Sequence, residues 1–337
     1  FGSSHVGSSL VRDLRIHSSN SMRILGSIVS CVSIACFSWP VGALYVRPAA
    51  SLATLRTARK PVIWVHFHKA GGTFMCTSAY EQNERVVQPE VTCNLFPRYE
   101  MSVDDPAQSA FALQHGVPNR VDGLRSIGQK HRMSCEQRAD FYRDGNFTWG
   151  QIERDFNLED IACNDLFMYG TMLRSPESSL LSNANFMKWN LTKLVPWLQD
   201  AVANPEHMQH CDACDEHRGV QELSWQLFDN FMVRSLNGYK GWTKPAGQVT
   251  AEDLEEAKRR LAAMDVVMLL ENLPQDKVQL EKIFGWKSTS VEPVRPTLYE
   301  FDFTKPQRAF LTDLNKLDYD LYEFGAGIAE QRRSILR

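Results

Sequence analysis

Two stretches of this chain carry side chains whose types and spacing suit the handling of anions. The first is His68-Lys69-Ala70-Gly71-Gly72-Thr73-Phe74, set between an apolar run and a helical pattern. Paired glycines at a strand-to-helix turn let backbone N–H groups point inward, and the helix N-terminus adds partial positive charge. Lys69 adds a full charge. The order differs from a Walker A loop, where the lysine follows the glycines; here it precedes them. A tight turn alone would also explain the glycines. The second stretch weakens that simpler reading. Arg174-Ser175-Pro176 follows another apolar run, and Ser182 lies eight residues beyond Arg174. A forked guanidinium at a strand end and a hydroxyl on the next helix can meet on one phosphate. Two such sites on parallel strands suit a nucleotide phosphorylated at both ends of its ribose.

A reaction that uses a hydroxyl needs a general base. His131, flanked by Lys130 and Arg132, is the first candidate and Glu153 the second. His115, Glu81, His66 and His68 are further ones. His207, His210, Cys211, Cys214 and His217 have zinc-ligand chemistry, but all come from one short stretch without a second half-site. No metal is assigned, and a disulfide between Cys211 and Cys214, or from either to another cysteine, is the other reading. Trp149, Trp189, Trp197, Trp225, Trp242 and Trp286 could stack on sugars, although packing roles suit most of them.

These residues need a scaffold. Val62–Phe67 is apolar and β-rich, as a strand covered on both faces should be. A helix pattern runs from Thr73 to about Glu84. Residues 85–135 form an irregular insertion, and Trp149–Asp155 reads as helical. A second strand covers 165–173, with a helix from Glu177 to about Trp189. Residues 219–237 read as another helix. Thr250 caps a helix over 251–263, with Asp253 in the capping-box position. A strand over 266–270 follows, then a helix opened by Pro274 that stops at Gly285. Leu311, Leu314, Leu317, Leu321 and Phe324 mark one amphipathic C-terminal helix. Alternating strands and helices imply an α/β fold, a parallel sheet flanked by helices.

The 337 residues allow one large α/β domain or two smaller ones. With 37 basic and 40 acidic residues the net charge is −3, so no global field attracts nucleic acid. Residues 1–21 are Ser- and Gly-rich and read as an extension outside the mature protein. Residues 22–46 open on Met22-Arg23 and continue without charge to a small-residue end at Val41-Gly42-Ala43. They read as a cleaved signal peptide or an uncleaved membrane anchor. A basic linker, 47–60, then leads into the folded domain, 61–337. Six of the eight cysteines lie beyond the apolar segment. An even number there is compatible with disulfides, in a pairing that the sequence leaves open. Asn146-Phe147-Thr148 and Asn190-Leu191-Thr192 are glycosylation sequons and agree with a lumenal location.

His68 to Thr73 resembles the 5′-phosphosulfate loop of the membrane-bound, Golgi-type carbohydrate sulfotransferases. Leu173-Arg174-Ser175-Pro176 through Ser182 resembles their 3′-phosphate motif. Asp229 to Gly238 and Asp265 to Glu271 are similar to weaker downstream blocks, so the likeness spans roughly 61–325. Ser175 stands where the family often has an acidic residue, and Ser179 where it has a later arginine. The resemblance implies a P-loop-like fold and the donor 3′-phosphoadenosine 5′-phosphosulfate. His68, Lys69, Ala70, Gly71, Gly72, Thr73, Phe74, Arg174 and Ser182 would lie at the donor, and a glycan or other hydroxyl would be the acceptor. Lys69 would stabilise the leaving phosphate, with His131 or Glu153 as base and no required metal. The compartment implied is the Golgi lumen, reached as a single-pass type II membrane protein or a secreted one. A kinase-like phosphotransferase and a non-catalytic nucleotide- or glycan-binding protein are the alternatives.

Overall fold

The computed structural model describes residues 59–87, 93, 135–153, 163–205, 225–287, 300 and 302–337. Strand β1 (Val62–His66) leads into α1 (Gly72–Glu81). Helix α2 (Cys135–Asp144) precedes β2 (Trp149–Glu153), and β3 (Met168–Leu173) precedes α3 (Pro176–Met187) and α4 (Leu191–Ala203). Two short helices, α5 (Phe231–Leu236) and α6 (Gly238–Trp242), lead to α7 (Ala251–Ala263) and β4 (Val266–Leu269). The described chain ends with α8 (Leu273–Gln279), α9 (Lys305–Leu314) and α10 (Lys316–Leu336). The four strands form one parallel sheet in the order β2-β1-β3-β4.

Strand residues divide between two cores with a period of two, as both-face burial requires. Ile63 and Val65 of β1, Tyr169 and Leu173 of β3, and Val267 and Leu269 of β4 pack on one face with Leu180 and Ala184 of α3. Val62, Trp64, Met172, Val266 and Met268 pack on the other, with Phe74, Met75 and Ala79 of α1. Helices α1 and α3 therefore cover opposite faces. The chain runs from β1 to β2 on one side and crosses to β3 on the other. The switch in direction lies between β1 and β3, and a crevice outside the carboxyl ends of the strands is expected there.

The expected helix over Trp149–Asp155 is instead strand β2. Its residues alternate rather than recur every three or four: Trp149 stacks on Trp64 at 5.6 Å between ring centroids, while Ile152 enters the opposite core. Parallel pairing with β1 overrides the local pattern. The single helix expected over 219–237 is broken in its described part. A short 3₁₀ turn, Trp225–Phe228, and α5 are separated at Asp229 and Asn230, the latter with φ 47°. The single C-terminal helix is likewise two, α9 and α10. Between them the Asn315 carboxamide donates to the Phe228 carbonyl and accepts from the Asn230 amide, tying the break to the other one. Arg260 of α7 is buried and donates to the Leu236 carbonyl.

Among the described residues two disulfides form, Cys76–Cys93 and Cys135–Cys163. They fit an oxidising, secretory-type environment. Asn146 and Asn190 of the two sequons are both exposed. Among the described residues no helix is long and apolar enough to cross a membrane. The apolar segment 22–46, most of the insertion over 85–135, and the cluster from His207 to His217 lie outside the described residues.

Candidate functional site

The two stretches expected to handle anions meet at the carboxyl edge of the sheet. β1 and β3 are hydrogen-bonded neighbours, so the turns that leave them are adjacent. They are joined directly: Arg174 Nη1 donates to the Lys69 carbonyl at 2.9 Å. Residues 105 positions apart in sequence thus meet at one sheet edge.

The first turn is held tightly. Ala70 N–H closes it by donating to the Phe67 carbonyl at 2.9 Å. Lys69 has φ 64° and Gly71 φ 78°, both in the left-handed region. Gly71 meets that demand without cost, whereas a lysine there is strained by about 1–2 kcal/mol. Gly72 is required by space: a Cβ on it would lie 1.9–2.2 Å from the His66 ring. Its N–H donates to His66 Nε2 at 3.1 Å, and its carbonyl accepts from Gln151 of β2 at 3.0 Å. The amides expected to face an anion therefore divide. Those of Ala70 and Gly72 are engaged within the turn. Those of Thr73 and Phe74 sit in the first turn of α1, ahead of Met75, whose N–H bonds to the Gly71 carbonyl. The Phe74 side chain is buried in the core beneath α1, so it contributes backbone alone.

Helix α3 brings two further side chains to this turn, those of Asn183 and Phe186. His68 is 3% exposed and its Nδ1 lies 2.5 Å from Asn183 Oδ1, which pins the turn to α3. The Lys69 ammonium sits 3.9 Å from the centroid of the Phe186 ring, which is 52% exposed. This cation–π contact keeps the charge at the crevice. Phe186 also meets the edge of His68 at 5.4 Å. Ser182, one turn before Phe186, is fully buried, so Arg174 is the more accessible of the two residues assigned to the second phosphate.

The turn after β3 has a carboxylate beside it. Glu271, two residues past β4, accepts the Ser175 N–H at 2.8 Å and the Tyr322 hydroxyl of α10 at 3.1 Å. Ser175 itself lacks the acid that the resemblance leads one to expect, and Glu271 supplies one from the next strand. Burial, and then the Glu271 charge, push the Tyr322 phenol above its ordinary range, so it remains a donor.

Of the proposed bases, Glu153 closes β2 in register with His66, at the same sheet edge. His66 accepts the Gly72 N–H and serves the turn itself. Glu81 is exposed at the far end of α1, about 14 Å from the glycines along the helix. His131 and His115 lie outside the described residues. Among the described residues no cluster of three or more His, Cys, Asp or Glu could hold a metal ion.

The downstream block from Asp229 to Gly238 lies in the core. Arg234 is fully buried, pairs with Asp229 at 2.5 Å, and donates to the carbonyls of Asp229, Gly241, Lys244 and Pro245. All its donors are matched, so it organises loops rather than a ligand. Trp149, Trp189 and Trp286 are buried, and Trp197, Trp225 and Trp242 pack partly buried against the core. Asn183, Phe186, Gln151, Glu271 and Tyr322 were not assigned roles from sequence. Phe186 had a legible signal, since it lies four residues beyond Ser182 on one helix face. The other contacts depend on strand order.

Comparison of the chain with family models, curated proteins and solved structures found no match.

Proposed function

We propose that the protein is a sulfotransferase that moves a sulfuryl group from 3′-phosphoadenosine 5′-phosphosulfate to a hydroxyl, with a glycan as acceptor. The observation that carries this reading is the Arg174–Lys69 contact, which sets two cationic turns side by side at the carboxyl edge of adjacent parallel strands. One turn would take the 5′-phosphosulfate through Lys69 and the amides of Gly71, Thr73 and Phe74. The other would take the 3′-phosphate through Arg174, with Ser182 behind it. The acceptor and the Golgi location rest on the resemblance and on the disulfides.

The chemistry follows from charge. The acceptor oxygen attacks sulfur in line as the bond from sulfur to the bridging oxygen breaks. The nucleotide leaves as the 3′,5′-bisphosphate, and the hydroxyl proton passes to a base. Charge grows on the bridging oxygen, where a cation placed as Lys69 is would stabilise it. Glu153, which ends β2 in register with His66, would take the proton. The test is thermal stabilisation by adenosine 3′,5′-bisphosphate against ATP. Clear preference for the bisphosphate supports the assignment; equal stabilisation by ATP refutes the 3′-phosphate site.

A further inference from the structure

We propose that Glu271 and Tyr322 are positioning residues for the 3′-phosphate site, acting through the Ser175 amide on Arg174. The inference rests on the donor-site reading above.

Glu271 is an exposed carboxylate next to a turn assigned to bind an anion, a placement that would repel a phosphate if its charge were directed there. Both of its oxygens are engaged. Oε1 accepts the Ser175 N–H at 2.8 Å and Oε2 accepts the Tyr322 hydroxyl at 3.1 Å. Ser175 immediately precedes α3 and caps it without a side-chain hydrogen bond. The Glu271 bond is therefore a tie that fixes the turn from outside the helix. Arg174, the preceding residue, donates to the Lys69 carbonyl and so reaches towards the first turn. The segment after β4 also lies close to that first turn: a Cβ on Gly71 would be 3.5 Å from Leu270 Cδ1. Glu271 thus ties the second turn, and α10 braces Glu271. A charge-assisted hydrogen bond to a backbone amide is among the stronger ties available to a loop. It would preorganise the guanidinium before the nucleotide arrives.

The experiment measures Kd for adenosine 3′,5′-bisphosphate and for adenosine 5′-monophosphate with the full chain and five variants. Glu271→Ala should weaken the bisphosphate about tenfold while changing the monophosphate less than about twofold. Glu271→Gln keeps an acceptor for the Ser175 amide and should recover most of the loss. Tyr322→Phe should weaken the bisphosphate roughly threefold, and it decides the question if Glu271→Ala does not fold. In an Arg174→Ala background, Glu271→Ala should add less than about twofold, because the group it positions is gone. Equal losses for both nucleotides, or wild-type affinity in both Glu271→Ala and Tyr322→Phe, overturn the inference. If the unmodified chain prefers the bisphosphate and Glu271→Ala and Tyr322→Phe keep that preference undiminished, only this inference falls. If the unmodified chain binds both nucleotides equally, the donor-site reading falls and takes the inference with it.

Discussion

In the proposed reaction Lys69 would combine a strained backbone with a charge needed only when the donor bond breaks, and two substitutions separate these properties. At φ 64° a non-glycine residue is strained by about 1–2 kcal/mol. Glycine relieves that strain but loses about 0.5–1 kcal/mol more conformational entropy on folding. Lys69→Gly should therefore be about 0.5–1 kcal/mol more stable than Lys69→Ala, a difference of a few degrees in Tm. Both remove the ammonium and its contact with Phe186. The ground-state donor keeps its amide contacts, so the loss should appear in kcat, by about 10²–10³. Thermal unfolding and steady-state kinetics with separate nucleotide Kd values make the assay. Equal stability of the two variants would contradict the left-handed backbone at Lys69. Intact kcat with a raised Kd would make Lys69 a binding residue and refute its role in the transition state.

Arg174→Ala should weaken adenosine 3′,5′-bisphosphate by about 2–4 kcal/mol with little effect on the 5′-monophosphate, read by calorimetry; unchanged affinity would remove Arg174 from the site. Removing the Cys76–Cys93 bridge, which spans 17 residues, should cost about 3 kcal/mol in denaturant unfolding, and an unchanged midpoint would exclude the bond. Burial pushes the Asp318 carboxyl up to about 7, against the pull of the Met232 and Val233 amides that donate to it. Such a group binds its proton more tightly in the folded chain. Its contribution to stability is complete below about pH 4 and is lost as pH rises through about 7. Asp318→Asn should flatten that part of the Tm–pH curve; an unaltered slope would place the titration elsewhere.

Both turns expected to handle anions were legible because glycine, lysine, arginine and proline mark them independently of tertiary context. The apolar runs of β1, β3 and β4 were legible for a similar reason, since burial on both faces leaves few polar interruptions. Strand β2 was not. Gly150 and Gln151 break its apolar character, and Gln151 is in the core only because it reaches the Gly72 carbonyl across the sheet. The helix breaks at Asp229-Asn230 and Asn315 were hidden for a related reason. Each is stabilised by a side chain from the other, about 85 residues away in sequence. Glu271 was visible as a residue, but its role depends on β4 lying beside β3 and on α10 returning over that edge.

The most direct test of the central claim is transfer itself. The full chain is incubated with sulfur-labelled 3′-phosphoadenosine 5′-phosphosulfate and a panel of polysaccharides, glycolipids and tyrosine peptides. Label on the acceptor and release of adenosine 3′,5′-bisphosphate are followed together. The account predicts label on a glycan, one bisphosphate released for each group transferred, and loss of both signals in Lys69→Ala. Absence of transfer to every acceptor, from a chain shown to bind the donor, would contradict it.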